Sequence, residues 1–451
     1  MPAPNTPAST VIPRPQRLTS QALAAFERFA HIEAVSGIAL VIAAIAALIW
    51  ANSSASASYE AFWHTQVVLS IGSLSLGQSL HFLVNDGLMT IFFLVVGMEI
   101  RQEIQDGALS NARMATLPLG AALGGVLVPA GIYLAYNWGL PSSHGWAVPT
   151  ATDIAFAVGV LALLGKSIPA NLRIFLLAVA IIDDIAAILI IAVFYTASLD
   201  FAGLGIAGAG LALVLLMQRM GIGTAWAYVV PGAIIWAGLL KLGVHPTLAG
   251  VVLGLITPVR SAPSHERPLD IMSKAFRDLL HRVDQGEKKV STPLKQIRLA
   301  EREVVPPVQR VQERLHPWVA FAIMPLFALA NAGVNVQGAQ LDVPISFSVA
   351  YGVVMALVLG KPVGIFLATL VLVRSGLCTL PQNVKWGGVV LVGLLAGIGF
   401  TMSIFIAGLA FDDAHLLAVA KLSVLCASTL SAVIGLAWGV LHFKWKIGSG
   451  K

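Results

Sequence analysis

The chain has 451 residues, of which 57% are hydrophobic and only 11% are charged, and its mean hydropathy is +0.84. A soluble domain carries about 25% charged residues, so the composition indicates a polytopic membrane protein and excludes a soluble enzyme. Lys and Arg exceed Asp and Glu, 28 against 22, but nearly all the basic residues lie in loops or tails. That distribution is a signal of membrane topology, and it argues against a nucleic-acid partner.

Hydrophobic runs long enough to cross a bilayer recur along the chain. A helix of about 20 residues spans a hydrocarbon core of roughly 30 Å, and the runs predict an all-α polytopic membrane protein with about 12 transmembrane helices. Of the 28 basic residues, Lys361 and Lys421 fall inside predicted spans and Lys241 lies on one side of the membrane. The others all fall on the opposite side, together with both termini, which predicts that the termini are cytoplasmic. The predicted spans are Ala34–Ala51, Leu80–Ile100, Met114–Tyr136, Val148–Leu164, Leu172–Thr196, Leu204–Met217, Thr224–Leu240, Val244–Pro258, Pro317–Ala332, Ile345–Val373, Gly387–Phe411 and Leu416–His442.

The spans divide the chain into one membrane domain and two tails. Residues 1–33 form a predicted cytoplasmic N-terminal tail without the features of a cleavable signal peptide. Residues 34–443 form the predicted membrane domain, and residues 444–451 form a cytoplasmic C-terminal tail. Within the membrane domain, residues 260–316 form a predicted cytoplasmic loop.

Three short segments outside the bilayer have recognisable patterns. Apolar residues recur at helical spacing in Ser20–Glu33 and between Leu269 and Val283, which favours two amphipathic helices, the second on the membrane face of the long loop. Thr65–Gln78 alternates apolar and polar residues around Gly72-Ser73, a pattern typical of a β-hairpin. The hairpin is polar enough to lie outside the bilayer, and because it follows the first span from a cytoplasmic N-terminus, the topology predicts that it lies on the external, periplasmic side.

Two adjacent acids, Asp183 and Asp184, occupy the centre of the predicted span Leu172–Thr196. One ionised aspartate at the bilayer centre costs at least about 2.5–3.5 kcal/mol, so two acids in succession argue against a purely structural helix. We therefore interpret them as handling a cation, a proton or both. Lys361, inside span 10, is a candidate partner; the alternative is a fixed ion pair that only holds two helices together.

Further polar residues lie within or beside the spans. Asp153 is predicted near the midplane, whereas Glu99 and Glu103 lie at the cytoplasmic end of span 2, where they are either functional or simply interfacial charges. Asp86 lies nearer the opposite end of span 2, where a helix cap or a side chain that snorkels to the interface is favoured over a functional role. For His245, which opens span 8, packing or a helix start is favoured over titration.

Two spans contain residues that interrupt a helix. Span 4 contains Pro149, Thr150 and Thr152 before Asp153, and span 11 contains the sequence GIGFTMS at residues 397–403. Broken helices at membrane depth are tolerated only where they are buried in protein or line a cavity. Because these spans are the middle members of spans 3–5 and 10–12, their positions predict two inverted repeats with discontinuous helices that cross at a midplane transport site.

Motifs throughout the chain resemble the NhaA family of bacterial sodium/proton antiporters. The inverted-repeat fold with broken helices is a known property of that family, so the resemblance and the pattern of the spans point the same way. The motifs run in order from span 2 to span 11. They are NDGLM at 85–89, VGME at 96–99, TATDIAFA at 150–157, IDDIA at 182–186, GVH at 243–245, NAGV at 331–334, GKP at 360–362 and GIGFTMSI at 397–404.

The resemblance implies an electrogenic, pH-regulated exchange of cytoplasmic Na⁺ or Li⁺ for a larger number of external protons. By position in the motifs, Asp183 and Asp184 are expected to bind the transported Na⁺ and the proton. Lys361 is expected to pair with Asp183 when sodium is absent. Thr152 and Asp153 are expected to support the site, with Asp153 balancing the dipoles of the half-helices. No cofactor is expected besides the transported ions Na⁺, Li⁺ and H⁺.

The resemblance also implies a location, an oligomer and a mode of regulation. The family predicts a multi-pass protein of the bacterial inner membrane, and a homodimer formed through the Thr65–Gln78 hairpin. Its pH response is associated with Glu99 and Glu103 and with the stretch before span 9. This chain departs from the pattern there, because Gln102 stands where a basic residue is usual and the sequence Gln-Glu-Arg at residues 312–314 replaces a Glu-His pair.

Other functions fit the sequence less well. A sodium-coupled solute symporter shares the broken-helix architecture and is the main alternative to an antiporter. An intramembrane aspartyl protease takes its two aspartates from different helices, one of them in a G-x-G-D motif, whereas these two are adjacent, so we do not expect an enzyme. A passive channel is disfavoured because paired titratable acids would trap ions. The chain also lacks the phosphate-binding motif GxxxxGK[ST], so no nucleotide partner is expected.

Overall fold

The computed structural model describes residues 35–71, 74–107, 109–196, 200–259, 268–285, 305–336 and 343–444, with three isolated positions between 292 and 297. The predicted N-terminal tail with its Ser20–Glu33 helix, the hairpin turn at residues 72–73 and the last seven residues lie outside these ranges.

The described chain is mostly helical, as predicted, and we number its helices in chain order. The helices are α1 Val35–Ala51, α2 Ser56–Trp63, α3 Leu80–Asp106, α4 Ala112–Asn137, α5 Pro141–Thr150, α6 Ile154–Leu163, α7 Ala170–Phe194, α8 Phe201–Arg219, α9 Ala225–Leu242, α10 Leu248–Ile256, α11 Pro268–Asp284, α12 at residues 307–331, α13 Pro344–Arg374, α14 Trp386–Ala396, α15 Phe400–Ala410 and α16 Ala414–Phe443. Helix α5 is a 3₁₀ helix and α9 begins with a 3₁₀ turn, whereas α3, α12, α13 and α16 each include a π-helical turn.

Among the described residues, seven helices are long and apolar enough to cross a membrane, and up to ten spans result if each of three bent helix pairs counts as one. Two of the predicted spans correspond to helices outside that set. Helix α10 has only nine residues, and α12 begins with the polar sequence PVQRVQERLHPW. The protein therefore has the predicted apolar helices, and the total of twelve stays a prediction.

The predicted hairpin is present. Strands β1 (Gln66–Ile71) and β2 (Leu74–Ser79) pair antiparallel, with Val67 opposite Gln78. The Leu80 amide donates to the Thr65 carbonyl at 3.0 Å, which closes the base of the hairpin where α3 begins. We use "hairpin end" for this end of the helical bundle.

The long loop contains a helix where the apolar spacing predicts one, α11. Phe276 and Leu280 on this helix are 54% and 49% exposed, whereas Ala275 is buried. An exposed apolar face fits the predicted position on the membrane surface, which stays a prediction.

Close packing of α4 against α13 fixes the position of Lys361. A Cβ atom built on Gly124 would lie 2.3 Å from the Gly364 carbonyl oxygen, and one built on Gly364 would lie 2.1 Å from the Gly124 carbonyl oxygen. Only glycine at both positions allows this approach of the two backbones. Lys361 lies nearly one turn before Gly364, directly after a π-helical turn at Ala356–Gly360. Such turns recur at functional sites.

Candidate functional site

The two interrupted helices meet at their breaks. Helices α5 and α6 are bent by 45° at residues 151–153, and α14 and α15 are bent by 47° at residues 397–399. The Asp153 amide donates to the Ile398 carbonyl at 2.7 Å, and Thr152 Oγ1 lies 2.9 Å from the Ala396 carbonyl oxygen. The breaks therefore satisfy each other's backbone groups, which allows irregular chain to be buried in a membrane protein.

Asp153 caps two helices with one carboxylate. Its Oδ1 accepts from the Phe156 amide at 3.0 Å, which caps α6. Its Oδ2 accepts from the Thr401 amide at 3.1 Å and from the Thr401 hydroxyl, in the first turn of α15. Helix N-termini carry a partial positive charge, so a negative charge shared between two of them is favoured. Asp153 is 1% exposed and lies in the extended backbone before α6.

Asp183 lies in a fully buried cluster with Lys361 and Thr152. Lys361 Nζ is 2.8 Å from Asp183 Oδ2 and donates to the Thr150 carbonyl at 2.6 Å. Thr152 Oγ1 is 2.7 Å from the same Asp183 oxygen. Because the Thr152 hydroxyl has one proton and faces two acceptors, Asp183 and the Ala396 carbonyl compete for it. The break in α14–α15 is thereby linked to the acid on α7.

Asp184 is 2% exposed and differs from its neighbour in its contacts. Within the described part of the chain, Asp184 Oδ1 and Asp183 Oδ1 are buried without a hydrogen-bond partner. Buried polar atoms are almost always paired, so these two carboxylate oxygens on adjacent residues are candidate acceptors for a ligand. Oxygen is the donor that hard cations prefer, and a proton satisfies the same atoms.

The other predicted residues lie apart from this cluster. Glu99 Oε1 accepts from Gln312 Nε2 at 3.3 Å, which links α3 to α12 at the end opposite the hairpin. Glu103 is half-buried on the same helix. Toward the hairpin end, His245 Nε2 lies 3.6 Å from Asp86 Oδ1, and its ring packs edge-on against Phe405 with centroids 5.2 Å apart.

Three buried aromatic rings from α3, α12 and α15 pack together, and we call them the aromatic layer. Phe405 on α15 has its ring centroid 5.5 Å from that of Phe93 on α3 and 6.1 Å from that of Phe327 on α12. All three rings are at most 5% exposed. Beside this layer, Lys421 Nζ on α16 lies 3.4 Å from Asn331 Oδ1 on α12. These contacts join α15 and α16 to helices outside the two predicted repeats.

One residue of the site has no signature in the sequence. Ser428 on α16 accepts a hydrogen bond from the Phe400 amide at 3.0 Å, at the first residue of α15. Span 12 contains several serines in an apolar run, and nothing in their spacing distinguishes this one. Its contact depends on the bend in another helix, so pattern alone does not reveal it.

Comparison with known proteins identifies the family. Residues 27–438 match the model of the family described as Na⁺/H⁺ antiporter 1. The Na⁺/H⁺ antiporter NhaA of Janthinobacterium sp. (strain Marseille) is 60% identical over 446 residues, which cover 98% of each chain. The NhaA protein of Cupriavidus necator is 61% identical over 434 residues, covering 96% of this chain and 93% of the relative. That of Bartonella tribocorum is 55% identical over 432 residues, covering 96% and 95%. The chain therefore belongs to the Na⁺/H⁺ antiporter family that includes the NhaA proteins.

Proposed function

We propose that this antiporter exchanges cytoplasmic Na⁺ or Li⁺ for a larger number of external protons at Asp183 and Asp184. The observation that carries the proposal is the pair of unpartnered, buried carboxylate oxygens beside the Asp183–Lys361 ion pair. Asp183 and Asp184 together carry up to two negative charges, and among the described residues one oxygen of each has no hydrogen-bond partner. A single Na⁺ neutralises less charge there than two protons do, so the exchange is electrogenic.

Exchange follows from competition for the same atoms. A protonated carboxyl group binds Na⁺ poorly, so Na⁺ entering from the cytoplasm must displace protons from Asp183 and Asp184. Lys361 lies 2.8 Å from Asp183 Oδ2, and Na⁺ bound to that oxygen competes with the ammonium group. When Na⁺ leaves, Lys361 takes its place as the counter-charge, which keeps a buried carboxylate from remaining uncompensated.

Asp153 and Thr152 support the site without carrying ions in this proposal. The hydrogen bonds of Asp153 go to the two half-helix N-termini, so its charge is already balanced. Thr152 donates toward Asp183 or the Ala396 carbonyl. Its hydroxyl reorients when a cation occupies Asp183, which connects occupancy of the site to the break in α14–α15.

Alternating access requires the aromatic layer to part. Phe405 packs against Phe93 and Phe327, and we infer that these rings close the path from the acids to the hairpin end, which we place on the external side. We propose that the inverted repeats, spans 3–5 and 10–12, rock against the remaining helices. Phe405 then leaves its position between α3 and α12, and the site opens to the outside.

Regulation by pH is proposed at the cytoplasmic ends of α3 and α12. Glu99 and Glu103 lie on α3, and the Glu99–Gln312 contact joins the two helices. An amide at Gln312 does not titrate, so any pH response of this contact depends on the glutamate. The pH profile of this chain should therefore differ from that of relatives with an acidic residue at this position.

We propose an inner-membrane homodimer with both termini in the cytoplasm. In the part of the sheet that is described, β1 and β2 pair only with each other, so each strand has an outer edge whose backbone groups are available to a second hairpin. Exposed strand edges are ready sites for pairing with another chain. The charge asymmetry of the loops supports the orientation.

The test is sodium-driven proton movement in everted membrane vesicles, followed by acridine-orange dequenching. Addition of Na⁺ or Li⁺ without any organic solute should release protons from vesicles containing the wild-type chain, which distinguishes an antiporter from a solute symporter. Asp184→Asn removes one charge and one proton-binding group and should abolish the response. Normal exchange by Asp184→Asn would refute the assignment of the site. Asp413→Asn, at the N-cap of α16, is a matched control that should leave exchange intact.

A further inference from the structure

Helix α15 begins without a cap of its own. The first four amides of any helix lack partners within the helix, and side chains of Ser, Thr, Asp or Asn usually supply one. Gly399 stands at this position and offers no side chain, and no cap hydrogen bond comes from it. The first amides must therefore find acceptors elsewhere, at a point buried next to the transport site.

The break between α5 and α6 and helix α16 supply those acceptors. The Thr401 amide donates to Asp153, in the break between α5 and α6. The Phe400 amide donates to Ser428 Oγ at 3.0 Å, from the middle of α16. Both acceptors are 1% exposed. A buried amide left without an acceptor costs about 1–3 kcal/mol, so the hydrogen bond to Ser428 strongly restrains the position of Phe400.

This restraint matters because the backbone of Phe400 is strained. Its φ is +22°, in the left-handed region that side chains other than glycine rarely adopt. Its ring is 6% exposed and packs 5.3 Å from the ring of Phe156, in the first turn of α6. A strained conformation persists only where the surroundings fix it, and here the fixed points are the Phe156 ring and the Ser428 hydroxyl.

We propose that Ser428 is a positioning residue of the transport site, acting through Phe400 and Thr401 on Asp153. By holding the Phe400 amide, Ser428 sets the direction of the first turn of α15, and that turn aims the Thr401 amide and hydroxyl at Asp153. The same break presents the Ala396 carbonyl to Thr152, the partner of Asp183. The inference deepens the proposed function and rests on it.

The hydrogen bond also connects α16 to the crossing of the breaks. Helix α16 packs along α15, and the hydrogen bond from the Phe400 amide to Ser428 is a directed link between the two. With Ser428 bonded to Phe400, a displacement of α16 is transmitted to the turn that holds Asp153.

The chain contains a close control for Ser428. Ser431 lies nearly one turn further along α16, is also 1% exposed and also faces the break, since a Cβ atom on Gly397 would lie 2.8 Å from its hydroxyl oxygen. Its hydroxyl is buried without a hydrogen-bond partner among the described residues. Ser428→Ala and Ser431→Ala therefore make the same chemical change at the same depth, and only the first removes a hydrogen bond to the break.

The experiment measures Na⁺-driven proton exchange in proteoliposomes, at equal amounts of monodisperse protein, as KM for Na⁺ and maximal rate. Ser428→Ala should raise KM about fivefold to tenfold, the factor expected for one buried hydrogen bond. Ser431→Ala should stay within twofold of wild type, and Ser428→Thr, which keeps the hydroxyl, should recover most of the affinity. An unchanged KM in Ser428→Ala, an equal rise in Ser431→Ala, or no recovery in Ser428→Thr would overturn the inference.

Parallel measurement of Asp184→Asn separates this inference from the proposed function. If exchange persists in Asp184→Asn, the assignment of the transport site is refuted, and with it the positioning role of Ser428. If Asp184→Asn abolishes exchange and Ser428→Ala has the KM of wild type, only the positioning role of Ser428 is refuted.

Discussion

Removal of the Lys361 charge should destabilise the folded antiporter, and the structure sets the size of the effect. Lys361 and Asp183 are both fully buried, with Nζ 2.8 Å from Oδ2, and Nζ also donates to the Thr150 carbonyl at 2.6 Å. Lys361→Met keeps most of the side-chain volume but leaves a buried carboxylate without its counter-ion. Breaking a buried ion pair from one side costs about 3–5 kcal/mol, and the lost hydrogen bond adds about 1 kcal/mol.

The assay is the midpoint of thermal aggregation of detergent-purified protein, followed by size-exclusion chromatography. At about 2 °C per kcal/mol for a large chain, the midpoint of Lys361→Met should fall by about 8–12 °C at alkaline pH. A protonated Asp183 needs no counter-ion, so the deficit should shrink as the pH is lowered and the carboxyl group takes up a proton.

A second substitution tests the reason for the effect. Asp183→Asn combined with Lys361→Met removes both charges, and replacing a whole buried pair by neutral groups is often nearly neutral for stability. The double variant should recover most of the lost midpoint. A double variant as unstable as Lys361→Met, or a Lys361→Met variant as stable as wild type at every pH, would refute the view that an uncompensated charge causes the loss.

Two further predictions concern the ions and the aromatic layer. If protons and Na⁺ compete for Asp183 and Asp184 as proposed, KM for Na⁺ should rise about tenfold per unit of falling pH for each proton that one Na⁺ displaces. The maximal rate at saturating Na⁺ should change little, and a falling maximal rate with constant KM would contradict competition. Phe405→Ala removes the ring that fills the space between α3 and α12 and should allow proton entry without Na⁺ in proteoliposomes, measured with a pH-sensitive dye. Phe347→Ala, at a ring 58% exposed, should not.

The sequence predicts the elements of this fold well where one period of hydrophobicity decides the structure. The hairpin at Thr65–Gln78 and the helix between Leu269 and Val283 are present because alternation and helical spacing each favour one backbone conformation. Hydrophobicity is less decisive for α10 and α12, since one is short and the other begins with polar turns. Whether these two cross the membrane depends on the helices around them, which hydropathy does not report.

The candidate site was predictable only for residues whose presence in a membrane is costly. Buried acids and a buried lysine are expensive, so Asp153, Asp183, Asp184 and Lys361 stand out in an apolar chain. Burying a hydroxyl group or a phenylalanine in a membrane protein costs little free energy, so these residues do not stand out in the sequence. Their roles depend on which helices pack against each other. The contact of Ser428 with the start of α15 follows from a bend of 47° in another span, and no local pattern encodes such a contact.

The double cap at Asp153 has a consequence for the fidelity of exchange. The start of α6 and the start of α15 donate hydrogen bonds to the same carboxylate. If one half-helix reorients alone, at least one of these buried amides loses its acceptor. An antiporter in which one break moved while the other stayed would slip, carrying an ion across without its exchange partner. Sharing one acceptor between the two breaks opposes such half-steps, because the least costly rearrangement is the one in which both helices keep their hold on Asp153 and move together.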